Sequence, residues 1–330
     1  MYNIHCQWHP LKKCIVGRTY YSNFFADIPA ADALAKVCEE TEEDLQNLVG
    51  ILHHFNVEVI RPNLDINDKF INYVNVPRPP IAPRDSLIVI DNKIYEFGLD
   101  HPSIKKCIND DVKSCPFTRH RKTTFNLATP SITQLGKDIL IDTKCFTSWE
   151  IQWLQKQLPT HRINTISIGG HNDGSFIILK PGVILSLSKT VDWKTFFSNW
   201  DVMEIDSDEN EWFTERKTNQ ATWWIPGQEN NNALKDFVNK WLNDWVGNIS
   251  ETVFSINALI IDEKHVVINT PRQDVINFLK KHDIEAIVCP QRHQYFWDNG
   301  IHCMTLDLYR EGELFDLFPT RETPFMCNGY

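Results

Sequence analysis

Hydrophobic and polar positions along the chain repeat one pattern: apolar strand, tight turn, apolar strand, amphipathic helix, apolar strand. The plainest copy lies near the C-terminus. Phe254 to Asp262 predicts a strand, Glu263 and Lys264 part of a turn, and His265 to Asn269 a second strand. Pro271 opens a helix with Val275, Ile276 and Leu279 at helical spacing and Lys281 and His282 in its last turn, and Ile284 to Cys289 returns as a strand. A second copy runs from about Gln134 to Ile168. Strand Asp138 to Asp142 precedes a helix whose Thr147 and Glu150 have capping-box spacing, with Ile151, Leu154 and Leu158 as its apolar stripe and Asn164 to Ile168 as the closing strand. In a third, Phe176 to Leu179 and Val183 to Leu187 flank a turn at Lys180, Pro181 and Gly182, followed by a short helix from Trp193 to Trp200 and a strand from Val202 to Ile205. The first copy has strand Lys13 to Gly17, helix Thr41 to His54 with Thr41 and Asp44 as its cap, and strand Val57 to Ile60. The remaining one begins as a hairpin, Ser86 to Ile90 and Lys93 to Glu96, with a degenerate second half.

Five such units, each with a helix face that cannot stay wet, must share a core. The expectation is an α/β chain of one globular domain, 1–330, with the units arranged round a centre. The stretch 206–232 breaks the pattern with an acidic run and Trp212, Trp223 and Trp224; it reads equally as a surface excursion and as a loop covering a substrate. Ala233 to Val246 then predicts an amphipathic helix burying Leu234, Phe237, Val238, Trp241, Leu242 and Trp245.

Charge narrows the partners. The 43 acidic against 33 basic residues give a net charge of -10, which argues against wrapping nucleic acid or an anionic membrane. The short basic cluster Arg119 to Lys122 reads as a solvated loop first and an anion contact second. No apolar stretch is long enough for a membrane span, and the first residues show neither signal nor transit character, so a cytoplasmic location is expected. The nine cysteines are odd in number and widely spaced, which predicts reduced thiols, most of them core residues, and no structural metal site.

One cysteine stands apart. Cys303 follows Asp298, Asn299 and Gly300 and precedes the alternating run Met304 to Tyr309, so it sits where a loop enters a strand, a suitable place for a nucleophile. His302 is its neighbour, but adjacent strand residues face opposite ways. A histidine from another unit is therefore expected as its partner. The run Gly169 to Gly174 offers His171 and Asp173, two apart and on one side of an extended backbone, one to handle protons and the other to bind positive charge. Taken alone that run is a surface turn. Asp85, before a strongly apolar strand, reads as a turn residue or a second carboxylate.

With these points the chain resembles the amidinotransferase family. The runs that carry the resemblance are Trp8 to Gly17, Pro83 to Ile90, Gly136 to Ile139, His171 to Ser186, Ser255 to Lys264 and Gly300 to Asp307; they follow the family's order and cover nearly the whole chain. The resemblance implies a pentein fold, a five-bladed pseudo-symmetric α/β propeller of ββαβ units, and hints at a homodimer. It implies Cys303 as nucleophile, His171 as catalytic histidine, Asp173 and Asp85 as carboxylates for the substrate guanidinium, and Ser255 close to the substrate. Two departures stand out. The aspartate that pairs with the family's histidine falls at Ala128, leaving Asn126 as a substitute, and an arginine that contacts the acceptor carboxylate is replaced in the stretch holding Lys189. The expected activity is transfer of an amidino group from a donor such as arginine to an amine acceptor, without cofactor or metal. Hydrolysis of the same covalent intermediate is the first alternative, and a non-catalytic guanidinium-binding protein is the second.

Overall fold

The computed structural model describes residues 1–330 apart from 29, 65–77, 98–100, 109–110, 119–128, 169, 189, 207–224, 226, 229, 243–254, 322 and 325–330. Among the described residues fifteen strands form five three-stranded sheets. In each, two antiparallel strands are followed by a helix and a third strand parallel to the second. Blade II is β3 (Leu87–Ile90), β4 (Lys93–Glu96), helix Pro102–Lys105 and β5 (Val112–Ser114). Blade III is β6 (Ile132–Leu135), β7 (Asp138–Asp142), helix Ser148–Gln157 and β8 (Arg162–Ile166). Blade IV is β9 (Phe176–Lys180), β10 (Val183–Leu187), helix Trp193–Phe196 and β11 (Asp201–Ile205). Blade V is β12 (Leu259–Asp262), β13 (His265–Ile268), helix Gln273–Lys281 and β14 (Glu285–Val288). Blade I is split between the chain ends: β15 (Thr305–Arg310) pairs antiparallel with β1 (Leu11–Val16), which leads through helix Ala31–His54 to β2 (Glu58–Ile60). The circle of blades is thereby closed by β-pairing across the length of the sequence. This is the pentein fold.

The strands β3, β6 and β7 are buried at every position, as expected for strands covered on both faces. The hairpin β3–β4 turns at Asp91, which adopts φ 53°, a conformation that aspartate tolerates better than most residues. Helix Ser148–Gln157 has the expected capping box, with Thr147 accepting from the Glu150 amide and the Glu150 carboxylate accepting from the Thr147 amide.

Several expectations need correction. Blade II is complete, because the segment read as degenerate holds a short helix and β5. The first long helix begins at Ala31, ten residues before Thr41, so Thr41 and Asp44 are not its cap. Both are buried mid-helix and hold the approach to β15 instead: the Trp297 indole donates to Thr41 Oγ1 at 2.7 Å, and the Arg292 amide donates to Asp44 at 2.7 Å. Residues that resemble a cap locally here make a long-range contact. The helix expected at 233–246 is six residues, Asn232–Phe237, running into a π-helical turn, Val238–Leu242. Leu234, Phe237, Val238 and Leu242 are buried, whereas Trp245 lies outside the described residues. So do Trp212, Trp223 and Trp224 of the proposed covering loop at 206–232, and the basic cluster Arg119 to Lys122.

Candidate active site

The candidate residues share one structural address. Asp85, His171 with Asp173, Ser255 and Cys303 each lie just before the first strand of a different blade: II, IV, V and I. Thr129 and Ser131 occupy the matching position in blade III. Single helical turns shape these approaches, Pro83–Ser86 before β3, Thr129–Ser131 before β6 and Asn172–Ser175 before β9. A ring of hydrogen bonds joins them in order. Thr129 Oγ1 donates to Arg84 O (2.7 Å), Ser131 Oγ to Gly170 O (3.3 Å), Asn257 Nδ2 to Asp173 O (3.2 Å), the Cys303 amide to Asn257 Oδ1 (3.1 Å) and Arg84 Nε to His302 O (2.9 Å). Each blade is thus tied to the next through the segment that carries its polar side chain. Bonds of this kind keep buried backbone groups satisfied where no sheet partner exists.

Cys303 is buried in a turn two residues ahead of β15. Its Sγ accepts from Asn257 Nδ2 at 3.0 Å and faces Asp173 Oδ2 at 3.4 Å. Burial, with the charges of Asp173 and Asp85, pushes the thiol well above its ordinary range. The sulfur is therefore protonated, donating to Asp173 while accepting from Asn257. The turn can approach this amide because residue 300 is glycine; a Cβ there would lie 2.5 Å from Asn257 Oδ1.

His302 corrects the sequence argument. It does not lie on a strand, so the opposite-face rule does not apply. Its Nδ1–H donates to Asp173 Oδ2 at 2.8 Å, and its Nε2 is 3.4 Å from Gln7 Nε2. Burial and the nearby Arg84 charge push the imidazole pKa down, against the opposing pull of Asp173. Burial alone raises the Asp173 carboxyl, but the His302 bond and the charges of His302, His171 and Arg84 outweigh it and leave the carboxyl lowered. His171 also departs from expectation in its backbone: it precedes the helical turn Asn172–Ser175 rather than sitting on an extended run with Asp173. It is buried and interacts electrostatically with both Asp85 and Asp173.

Asp85 is buried, and its Oδ2 accepts from Arg78 Nη1 at 2.8 Å. Burial raises its pKa, as does the Asp173 charge, against the opposing pull of Arg78 and His171. Among the described residues Asp85 Oδ1 and Asp173 Oδ1 are buried and take no hydrogen bond. Two adjacent acids, each with one oxygen used and one open, form a receptor for a compact cation with several N–H groups. Ser255 is buried two residues ahead of Asn257. Asn126 and Lys189 lie outside the described residues.

Sequence reasoning missed Asn257, Arg78 and the bonding role of His302. Asn257 had a signal, a lone amide inside the apolar run Ile256 to Ile261. Arg78 had none, because its partner is fixed only by the path of the chain.

No family model matches the chain. Its sequence is 22% identical over 380 residues to the mitochondrial glycine amidinotransferase of Xenopus tropicalis, covering 94% of this chain and 83% of that one. By sequence the chain resembles the amidinotransferases. Solved structures with the same fold include an amidinotransferase of the saxitoxin biosynthetic pathway from Microseira wollei (TM-score 0.69, 19% identity, 96% of this chain and 99% of that one) and the inosamine-phosphate amidinotransferase of Streptomyces griseus (TM-score 0.66, 18% identity, 96% and 98%). Likeness to amidinotransferases thus extends over nearly the whole chain, well beyond the site. The chemistry itself has to be argued from the residues.

Proposed function

We propose that this protein is a cysteine-dependent amidinotransferase that moves an amidino group from a guanidinium donor such as arginine to a primary amine. The observation that carries the reading is the pair of open buried oxygens, Asp85 Oδ1 and Asp173 Oδ1, on the two acids that act electrostatically on the Cys303 thiol. The planar, cationic guanidinium matches both the charge and the N–H geometry such a receptor needs. Its arrival also changes the thiol. The acids that hold the Cys303 proton in place are neutralised by the ligand cation, so when a donor is bound the thiol proton passes to His171 and leaves a thiolate.

The thiolate sulfur then attacks the central guanidinium carbon. The bond from that carbon to the alkyl nitrogen breaks, His171 supplies the proton to the departing amine, and an amidino group remains on sulfur. An incoming amine adds to the same carbon and gives a proton to His171. The carbon–sulfur bond breaks and the thiolate is restored. Asn257, already donating to Sγ at 3.0 Å, stabilises the thiolate in both halves. Similarity to glycine amidinotransferase over 94% of the chain supports transfer as the outcome.

The test is incubation with arginine, acid quench and peptide mass spectrometry. The expected result is an amidino adduct on Cys303, absent in C303S, with one equivalent of ornithine released on its formation and continued ornithine release that requires an added amine. Steady citrulline release without an amine would make the protein a hydrolase. Arginine binding with neither adduct nor turnover would leave a binding protein.

A further inference from the structure

The two acids of the site are completed differently. Asp173 takes its bond from the His302 imidazole, whereas Asp85 takes its bond from a guanidinium, that of Arg78, whose Nη1 lies 2.8 Å from Oδ2 and whose Nη2 donates to Trp297 O at 3.2 Å. Both partners are shielded, with Arg78 13% and Asp85 4% exposed in their side chains. Arg78 approaches from the segment before the turn Pro83–Ser86, and its second bond is to the backbone next to the approach to β15. It contacts Oδ2 only and leaves Oδ1 open.

We propose that Arg78 is a positioning residue of the cation site: it is the built-in counter-charge of Asp85, holding that carboxylate ionised and turned so that Oδ1 stays open to a ligand guanidinium. This rests on the guanidinium reading of the site. Among the described residues the titratable and charged groups that face Asp85 are Arg78, His171, Asp173 and the Cys303 thiol. Two acids press against each other in a buried space, and the ordinary outcome is that one takes up a proton and stops attracting cations. His171 can oppose this only while protonated. A guanidinium stays charged throughout the working pH range, so among the described groups facing Asp85 it is Arg78 that supplies a permanent opposing charge. The same residue has a rival role as an internal plug that competes with the donor for Asp85. One-sided contact argues against it, because a plug would cover both oxygens.

The experiment uses the full chain labelled with ¹³Cγ aspartate, with the Asp85 resonance assigned by comparison with D85N, together with calorimetric binding of arginine across pH. For R78Q the Asp85 midpoint should rise by about one pH unit or more. At pH values below the wild-type midpoint arginine binding should weaken by roughly 10-fold, its acid limb displaced upward by the same shift, since below both midpoints one pH unit is a tenfold change in the ionised fraction. R78K, which keeps the charge without the fork, should recover most of the midpoint. An unmoved midpoint in R78Q, or tighter arginine binding in R78Q, would overturn the proposal. A midpoint that moves while the wild-type chain binds no arginine would leave Arg78 as the counter-charge and remove the guanidinium reading. If R78Q unfolds, wild type decides: an Asp85 midpoint above neutrality sinks the assignment.

Discussion

Asp307 and Asp173 are both buried near the turn that carries Cys303, and Arg84 links their surroundings, yet they are completed in opposite ways. Asp307 accepts from Arg84 Nη2 at 2.8 Å on one oxygen and from Arg310 Nε at 2.7 Å on the other. Arg310 spends its remaining nitrogens on His9 O and Ile260 O, and Arg84 spends Nε on His302 O. Despite burial, the two arginines hold the Asp307 carboxyl far below the usual range. Every charge in that cluster is answered within the chain, and its effect is to fix β15 and the turn before it. Asp173 uses Oδ2 for His302, and among the described residues its Oδ1 takes no hydrogen bond, with Asp85 unfinished in the same way. A closed cluster of charges stabilises structure; an open one leaves an attraction available for a ligand. The contrast explains why burial and charge alone do not mark the site.

The contrast is broken most severely by D307N. Two buried guanidinium groups lose their shared counter-charge, and the expected loss is about 3–5 kcal/mol of stability in urea unfolding. The pH dependence follows with a definite sign. The folded Asp307 pKa lies below the unfolded value, so its contribution is fully present above the ordinary carboxylate pKa and disappears as pH falls from there toward the folded value. D307N should therefore flatten the acid side of the stability curve. D173N tests the other half. Stability should change by under about 1 kcal/mol, because no permanent cation is stranded. The kcat/KM for a guanidinium donor should fall about 10- to 100-fold, the range for losing a hydrogen bond to a charged group. A D173N protein as destabilised as D307N would erase the distinction between the two acids.

Asn257 sits between the two regions, holding the Cys303 backbone and sulfur at once. N257A should slow alkylation of Cys303 about 10-fold at neutral pH, consistent with one lost hydrogen bond to a developing thiolate. The smallest effect is reserved for a purely structural contact. T147A should cost about 1 kcal/mol through loss of the helix cap on blade III and leave Cys303 alkylation unchanged.

Much of the fold was legible because it is written in local patterns. The hairpin at Asp91, the capping box at Thr147 and the strand–helix–strand run ending at β14 depend on neighbours in sequence, and each was found near its observed bounds. Where the reading failed, a distant contact had chosen the residue. Thr41 and Asp44 imitate a cap but are buried against Trp297 and Arg292. His302 was excluded by a strand rule in a segment that is a turn, and blade II looked incomplete because its crossing helix is only four residues long. The positions of Asp85, His171, Asp173 and Cys303 were legible as chemistry-bearing residues beside glycines and apolar strands, whereas their convergence was not.

The sequence by itself determined the five repeated units, the apolar strands that must be covered on both faces, and which side chains are able to act as nucleophile, acid or base. Only the tertiary structure decided which acids would be closed by arginine and which left open. Periodicity is set by residues a few positions apart, while the state of a buried charge is set by whatever the closed ring of blades brings within about 3 Å of it.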